Sequence, residues 1–236
     1  MPAQFRILHA TRASDCPTRK TRRFQRESSP PWKRASSLTT TRSRPTPSST
    51  GRSLSDPLNV LAETRRELAR LPHILTALVG DLDEAMARAR PLPHEWSPVE
   101  ILCHLRDEET EDFGARLRVI LDGGKQFTAI DPEGWVEARR YRDAASRNVL
   151  ADLCARRAAS LELLASLAPE RLSASGDHRR LGTLSGLDLL VAWVAHDRLH
   201  LSQLAATLAR LWADRWAPLK AEYAGPLPYS PRSAGV

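Results

Sequence analysis

The stretch SGLDLLVAWVAHDRLHLSQLAATLARLWA, residues 185–213, decides the fold. Leu189, Trp193, His196, His200, Leu204 and Leu211 recur at intervals of three, four and seven, so they share one face of a helix. Ser185 stands where the N-cap of that helix belongs. The face is apolar apart from two imidazoles four residues apart, which a helix stacks one turn above the other. Left without partners, two imidazoles turned toward a core cost about 1–3 kcal/mol each. A metal ion would satisfy both, because two donors on one rigid helix chelate a first-row metal. Hydrogen bonds to side chains, or exposure to solvent, would also satisfy them, and the spacing alone leaves these readings open. The motif is not that of the helical zinc proteases. Those place a glutamate general base after the first histidine, and Asp197 stands there instead.

Working outward, Ser97-Pro98-Val99-Glu100 reads as a capping box with Pro at the first helical position. The helix it opens carries Val99, Leu102, Leu105, Phe113, Leu117 and Ile120 and ends at Asp122-Gly123-Gly124. Asp56-Pro57 opens a first helix over 58–88, with a kink or break expected at Pro72. A third helix is expected over 134–167, closed by APERLSASGDHRRLGT, residues 168–183. No strand is expected. Long amphipathic helices alone predict an all-α, four-helix bundle. The short connection between the first two helices favours antiparallel neighbours. The longer one over 122–134 can reach roughly 40 Å, enough to return along a helix of about 24 residues. An up-down-down-up order is therefore allowed, though not forced.

Charge divides the chain. Residues 1–55 hold twelve Lys or Arg against Asp15 and Glu27, a net +10, so the remainder carries −3 of the total +7. This Arg/Ser/Thr/Pro-rich tail has too few apolar side chains to offset the entropy of ordering and reads as disordered. A mispredicted translation start, a regulatory tail, a nucleic-acid-binding arm and an organelle transit peptide all fit it. The expected organisation is the tail 1–55, a helical bundle over 56–216 and a loose Pro-rich end over 217–236. Cys16, Cys103 and Cys154 form no CxxC pair, which fits a reducing, cytoplasmic setting. No apolar run reaches the roughly 20 residues of a membrane span.

The third histidine of interest, His104, lies on the flank of its helix's apolar stripe, and periodicity alone reads it as a surface residue. Resemblance raises it. EWSPVEILCHLRDEE (95–109), followed by LVAWVAHDRLHLSQL (190–204), resembles the DinB/YfiT-like superfamily. The likeness rests on Trp96-Ser97-Pro98, His104-Leu105, His196-Asp197, His200 and Gln203 and spans about 58–213. It implies an up-down-down-up bundle, with His104, His196 and His200 binding one divalent metal, nickel or zinc. It also implies a homodimer and, by analogy with several relatives, transfer of a low-molecular-weight thiol such as bacillithiol, mycothiol or glutathione to an electrophile.

Glu108, Asp107 and Asp197 are candidates to orient the imidazole N–H groups. Most of the acidic run Asp107-Glu108-Glu109-Glu111-Asp112 reads as a solvated helix face, while Glu109 and Arg116 fall in the apolar sector and are expected to pair. Cys103 points away from His104 and reads as a core thiol, and Trp193 as core. His73, His94 and His178 carry no assigned role. Three functions follow: a metal-dependent thiol transferase of detoxification type, a non-catalytic metal-binding stress protein, and, weakest, a nucleic-acid binder acting through the tail.

Overall fold

The computed structural model describes residues 56–225; the basic tail 1–55 and residues 226–236 lie outside the described residues. Helix α1 spans Pro57–Val79, and Asp56 Oδ1 caps it by accepting from Leu58 N at 3.1 Å. Pro72 lies inside α1 without breaking it. A proline lacks the N–H that would bond to the carbonyl four residues back, here that of Leu68. That carbonyl accepts from Arg157 Nη1 at 2.9 Å instead. The break falls later, at Gly80, and the end of the expected first helix becomes a separate short helix α2, Glu84–Arg88.

The second long helix runs as α3 (Pro98–Glu108), a wide π turn (Glu109–Phe113) and α4 (Gly114–Leu121). The capping box forms as read: Glu100 Oε2 accepts from Ser97 N and Ser97 Oγ, both at 2.7 Å. Gly114 closes the π turn, where a Cβ would stand 2.5 Å from Glu109 O. The expected third helix is two: α5 (Pro132–Ala138) and α6 (Ser146–Ser166). Arg140, left-handed at φ 51°, turns the chain between them, and Tyr141 is buried with its hydroxyl donating to Asp107 Oδ2 at 2.7 Å. A hairpin occupies the segment read only as a helix break: β1 (Ser175–His178) pairs antiparallel with β2 (Gly182–Ser185). Gly182 supplies the positive φ of its turn. Helix α7, Gly186–Arg215, carries the reciprocal Ser185–Asp188 cap.

The core divides into two layers that fix the helix directions. One joins Leu71 and Leu75 of α1 to Val99 and Leu102 of α3, Val149 and Leu153 of α6, and Leu204 of α7. The other joins Leu61, Leu117, Leu164 and Leu190 of α1, α4, α6 and α7. Residue numbers fall from the first layer to the second along α1 and α7, and rise along the second helix and α6. The order is therefore up-down-down-up. The first two helices are not close neighbours as their short connection suggested; α1 packs mainly on α6 and α7, and α3 on the same two.

Arg157 ties the four helices together at the boundary between those layers. Besides Leu68 O, its guanidinium reaches Glu109 (Nη2–Oε2 2.7 Å) and Asp197 (Nη1–Oδ2 2.7 Å). All three charged side chains are buried, Arg157 to 1% exposure. Removing the cation alone strands two buried carboxylates. Arg157→Met should cost about 3–5 kcal/mol in urea unfolding, whereas adding Glu109→Leu and Asp197→Leu should recover most of that loss. An Arg157→Met variant as stable as the parent would remove this central role.

Candidate metal centre

The bundle order brings α3 beside α7, and three imidazoles meet between them. His104 Nε2 stands 3.0 Å from His200 Nε2 and 3.3 Å from His196 Nε2, and all three nitrogens lie within 4.8 Å of one another. Two nitrogens each about 2.05 Å from a shared ion stand about 2.9 Å apart at a right angle and about 3.3 Å at the tetrahedral angle. The observed spacings fall in that range. Imidazole nitrogens suit zinc, nickel, copper and iron, so spacing and donor chemistry both fit one transition-metal ion.

The surroundings prepare the rings for that role. Trp96 packs against His104 with centroids 4.9 Å apart and lies nearly parallel to His200 at 6.3 Å, while Phe113 covers His196 at 5.1 Å. His104 is buried at 4% exposure, not at the surface as its flank position suggested. Burial pushes the His104 and His200 imidazoles down to about 4, so both are neutral, the ligating form, at neutral pH. Gln203 Oε1 accepts from His200 Nδ1 at 2.8 Å, which turns the Nε2 lone pair of that ring toward the centre.

The candidate orienting carboxylates divide. Glu108 reaches the cluster, but on the side where the nitrogens converge: Oε2 is 2.8 Å from His196 Nε2 and Oε1 is 3.6 Å from His104 Nε2. Burial pushes its carboxyl up, yet the His196 hydrogen bond and the adjacent imidazoles outweigh this and hold it below the usual range. Asp107 instead accepts from Tyr141, Arg106 and Arg139, each at 2.7 Å. Asp197 holds Arg157. Neither touches an imidazole among the described residues. The acidic run is mostly inside, since Asp107, Glu108, Glu109 and Asp112 are buried. Glu109 and Arg116 find different partners from those expected, Arg157 and Asp112 respectively. Asp112 is pushed up to about 6 by burial, which Arg116 opposes. Cys103 is a core thiol, raised by burial to about 12 and thus no nucleophile. Trp193 is core as well, stacked on Phe113 at 5.4 Å.

A cavity of about 590 Å³ opens beside His200, lined by His94, Trp96, Gln203 and Arg210 among others. Arg210 is held there by Glu95, with Nη1 at 2.6 and 2.8 Å from the two carboxylate oxygens. Sequence reasoning gave His94 no role, and Gln203 entered only through the resemblance. Its signal was its place three residues after His200, on the same helix face.

The DinB superfamily model matches residues 67–204, more than half of the chain and the span holding all three histidines. The chain belongs to the DinB superfamily. Among solved structures it is similar to YfiT from Bacillus subtilis, described as a probable metal-dependent hydrolase with an unusual four-helix bundle topology. That likeness covers 70% of this chain and 91% of YfiT at a TM-score of 0.59, and at 17% identity it speaks to the fold alone. Among curated proteins, none matches the chain. No helix among the described residues is long and apolar enough to cross a membrane.

The depressed imidazoles give metal-free protein a pH signature. Between about 4 and the unfolded value of 6.5, the unfolded chain binds protons at His104 and His200 that the folded chain refuses. Stability of chelator-treated protein should therefore rise as pH rises through that window. Asp112, raised from 3.8 to about 6, works in the opposite sense, but as one group against two. Urea midpoints measured from pH 4 to 7 check this, and a flat or falling profile would contradict the burial of the two rings.

Proposed function

We propose that the protein is a divalent-metal-dependent transferase that adds a low-molecular-weight thiol to an electrophilic small molecule. His104, His196 and His200 hold the ion, nickel or zinc as the resemblance to the DinB/YfiT-like superfamily implies. The observation that carries this reading is the convergence of three Nε2 atoms beside a cavity able to admit a small molecule. A bound divalent ion lowers the pKa of a thiol or water at its open position and so supplies an anionic nucleophile at neutral pH.

The chain's own residues do the rest. In substitution the thiol loses its S–H proton, sulfur bonds to the electrophilic carbon, and the leaving group departs with its electron pair. Glu108, anionic and on the donor side of the rings, takes that proton. Gln203 keeps His200 in its ligating tautomer. Trp96 and Phe113 exclude water from the imidazoles. The nucleophile comes from outside, since the Cys103 thiol stays protonated.

Hydrolysis is the second reading, because the same carboxylate would serve water as readily as a thiol and YfiT is described as a probable hydrolase. A homodimer accords with the exposure of Trp212 (60%) and Trp216 (49%) at the end of α7. Sedimentation equilibrium tests that.

Elemental analysis of purified protein should find one divalent ion per chain, lost in His200→Ala. Gln203→Ala should weaken the metal by about 10- to 100-fold in chelator competition. A panel of glutathione, mycothiol and bacillithiol with an alkylating electrophile should give a metal-dependent rate that Glu108→Gln lowers by about 10²-fold or more. Metal-dependent cleavage of activated esters without thiol would select hydrolysis. Stoichiometric metal with neither activity would leave a metal-binding stress protein.

A further inference from the structure

A second cleft lies apart from the imidazoles, at the other end of the second long helix. It occupies about 460 Å³ between the loop after α4 and the β1–β2 hairpin, the two segments that the bundle itself does not require. Arg116 and Phe127 line it, the guanidinium carbon 5.7 Å from the ring centroid, and the charge of Arg116 is already matched by Asp112. Arg179 and Arg180, on the hairpin turn, also line it and are exposed. No carboxylate pairs with either of them among the described residues.

The walls are fixed to each other. Asp177 N donates to Lys125 O at 2.6 Å, Lys125 Nζ donates to Ser175 O at 2.9 Å, and Gln126 bridges to Asp177. Asp177, an acid in the lining, is engaged by the Thr183 hydroxyl at 3.0 Å. The surrounding charge is distinctive as well. Segments 112–128 and 171–183 hold Arg116, Arg118, Lys125, Arg171, Arg179 and Arg180 against Asp112, Asp122 and Asp177, a net +3. The rest of residues 56–236 then carries −6. A concave, basic site on an otherwise acidic body focuses field on anions.

We propose that this cleft binds a small anionic ligand through its phosphate or carboxylate oxygens, with Arg179 and Arg180 supplying planar paired donors. The site is independent of the metal centre, and nothing in it requires an ion to be bound at the histidines.

The test is calorimetric titration of the full chain with pyrophosphate and, separately, with citrate, at fixed ionic strength. The parent is compared with the double variant Arg179→Gln, Arg180→Gln. Both side chains are exposed, so the variant should melt at the parental temperature and keep its metal content. The parent should bind at least one of the two anions with a Kd below about 1 mM, and the variant should bind it at least tenfold more weakly. The tighter anion identifies phosphate or carboxylate as the recognised group. Equal affinity in parent and variant would place binding outside this cleft and overturn the proposal, as would failure of both anions to bind the parent. A parent that holds no metal yet binds the anion would overturn the metal-dependent reading alone.

Discussion

Four helices can slide along one another unless something specifies their register, and here one buried guanidinium does so. Arg157 of α6 reaches a carbonyl of α1, a carboxylate of the π turn and a carboxylate of α7. Apolar layers above and below tolerate small shifts, because leucine contacts are non-directional. A set of charge-assisted hydrogen bonds around one planar group does not. Pro72 takes part by omission: its missing N–H leaves Leu68 O available to the guanidinium, so a residue that weakens a helix locally also opens the place where that helix is tied to the others.

That register has a functional consequence. Glu109 follows Glu108 in the chain, and Asp197 follows His196. Fixing Glu109 and Asp197 on a common partner therefore fixes the adjacent Glu108 and His196 level with each other, and their side chains meet at 2.8 Å. The π turn makes this possible. It begins at Glu109, and two neighbouring acidic side chains are both buried with different duties, one on Arg157 and one on the imidazoles. π insertions inside α-helices often sit at functional sites for this kind of reason.

Much of this was legible in the sequence. Capping at Asp56, Ser97 and Ser185 follows from local hydrogen-bond chemistry, and all three caps form as read. Apolar spacing gave the core face of α7 for the same reason, since periodicity depends only on helix geometry. What could not be read depends on partners distant in the chain. Pro72 looked like a break because its compensating donor lies 85 residues later, at Arg157. The acidic run looked solvated because two of its cations, Arg139 and Arg157, come from other elements far along the chain. His104 looked exposed because Trp96, which covers it, precedes the helix and has no place on its wheel. The hairpin escaped because strands of four residues, one carrying a glycine and two charges or imidazoles, show no apolar alternation.

The same distinction explains where the molecule has room for chemistry. A bundle this tightly keyed leaves little freedom along its helices, and room for a ligand opens beside the connections between them. Both cavities lie there: one beside His200, bordered by the connection before α3, and the other between the loop after α4 and the hairpin. The first meets the His200 imidazole, the second the guanidiniums of Arg179 and Arg180. A single polar line along the second helix joins them, His104, Glu108, Asp112 and Arg116 at steps of four. Its charge passes from neutral rings through two carboxylates to a cation, each matched by its neighbour: His196 meets Glu108, and Arg116 meets Asp112. Its two carboxylates can be buried only because each lies against a cation or a donor. The three histidines thus belong to the load of polar groups that the keyed bundle holds, and the register set by Arg157 is what allows that load to be carried inside.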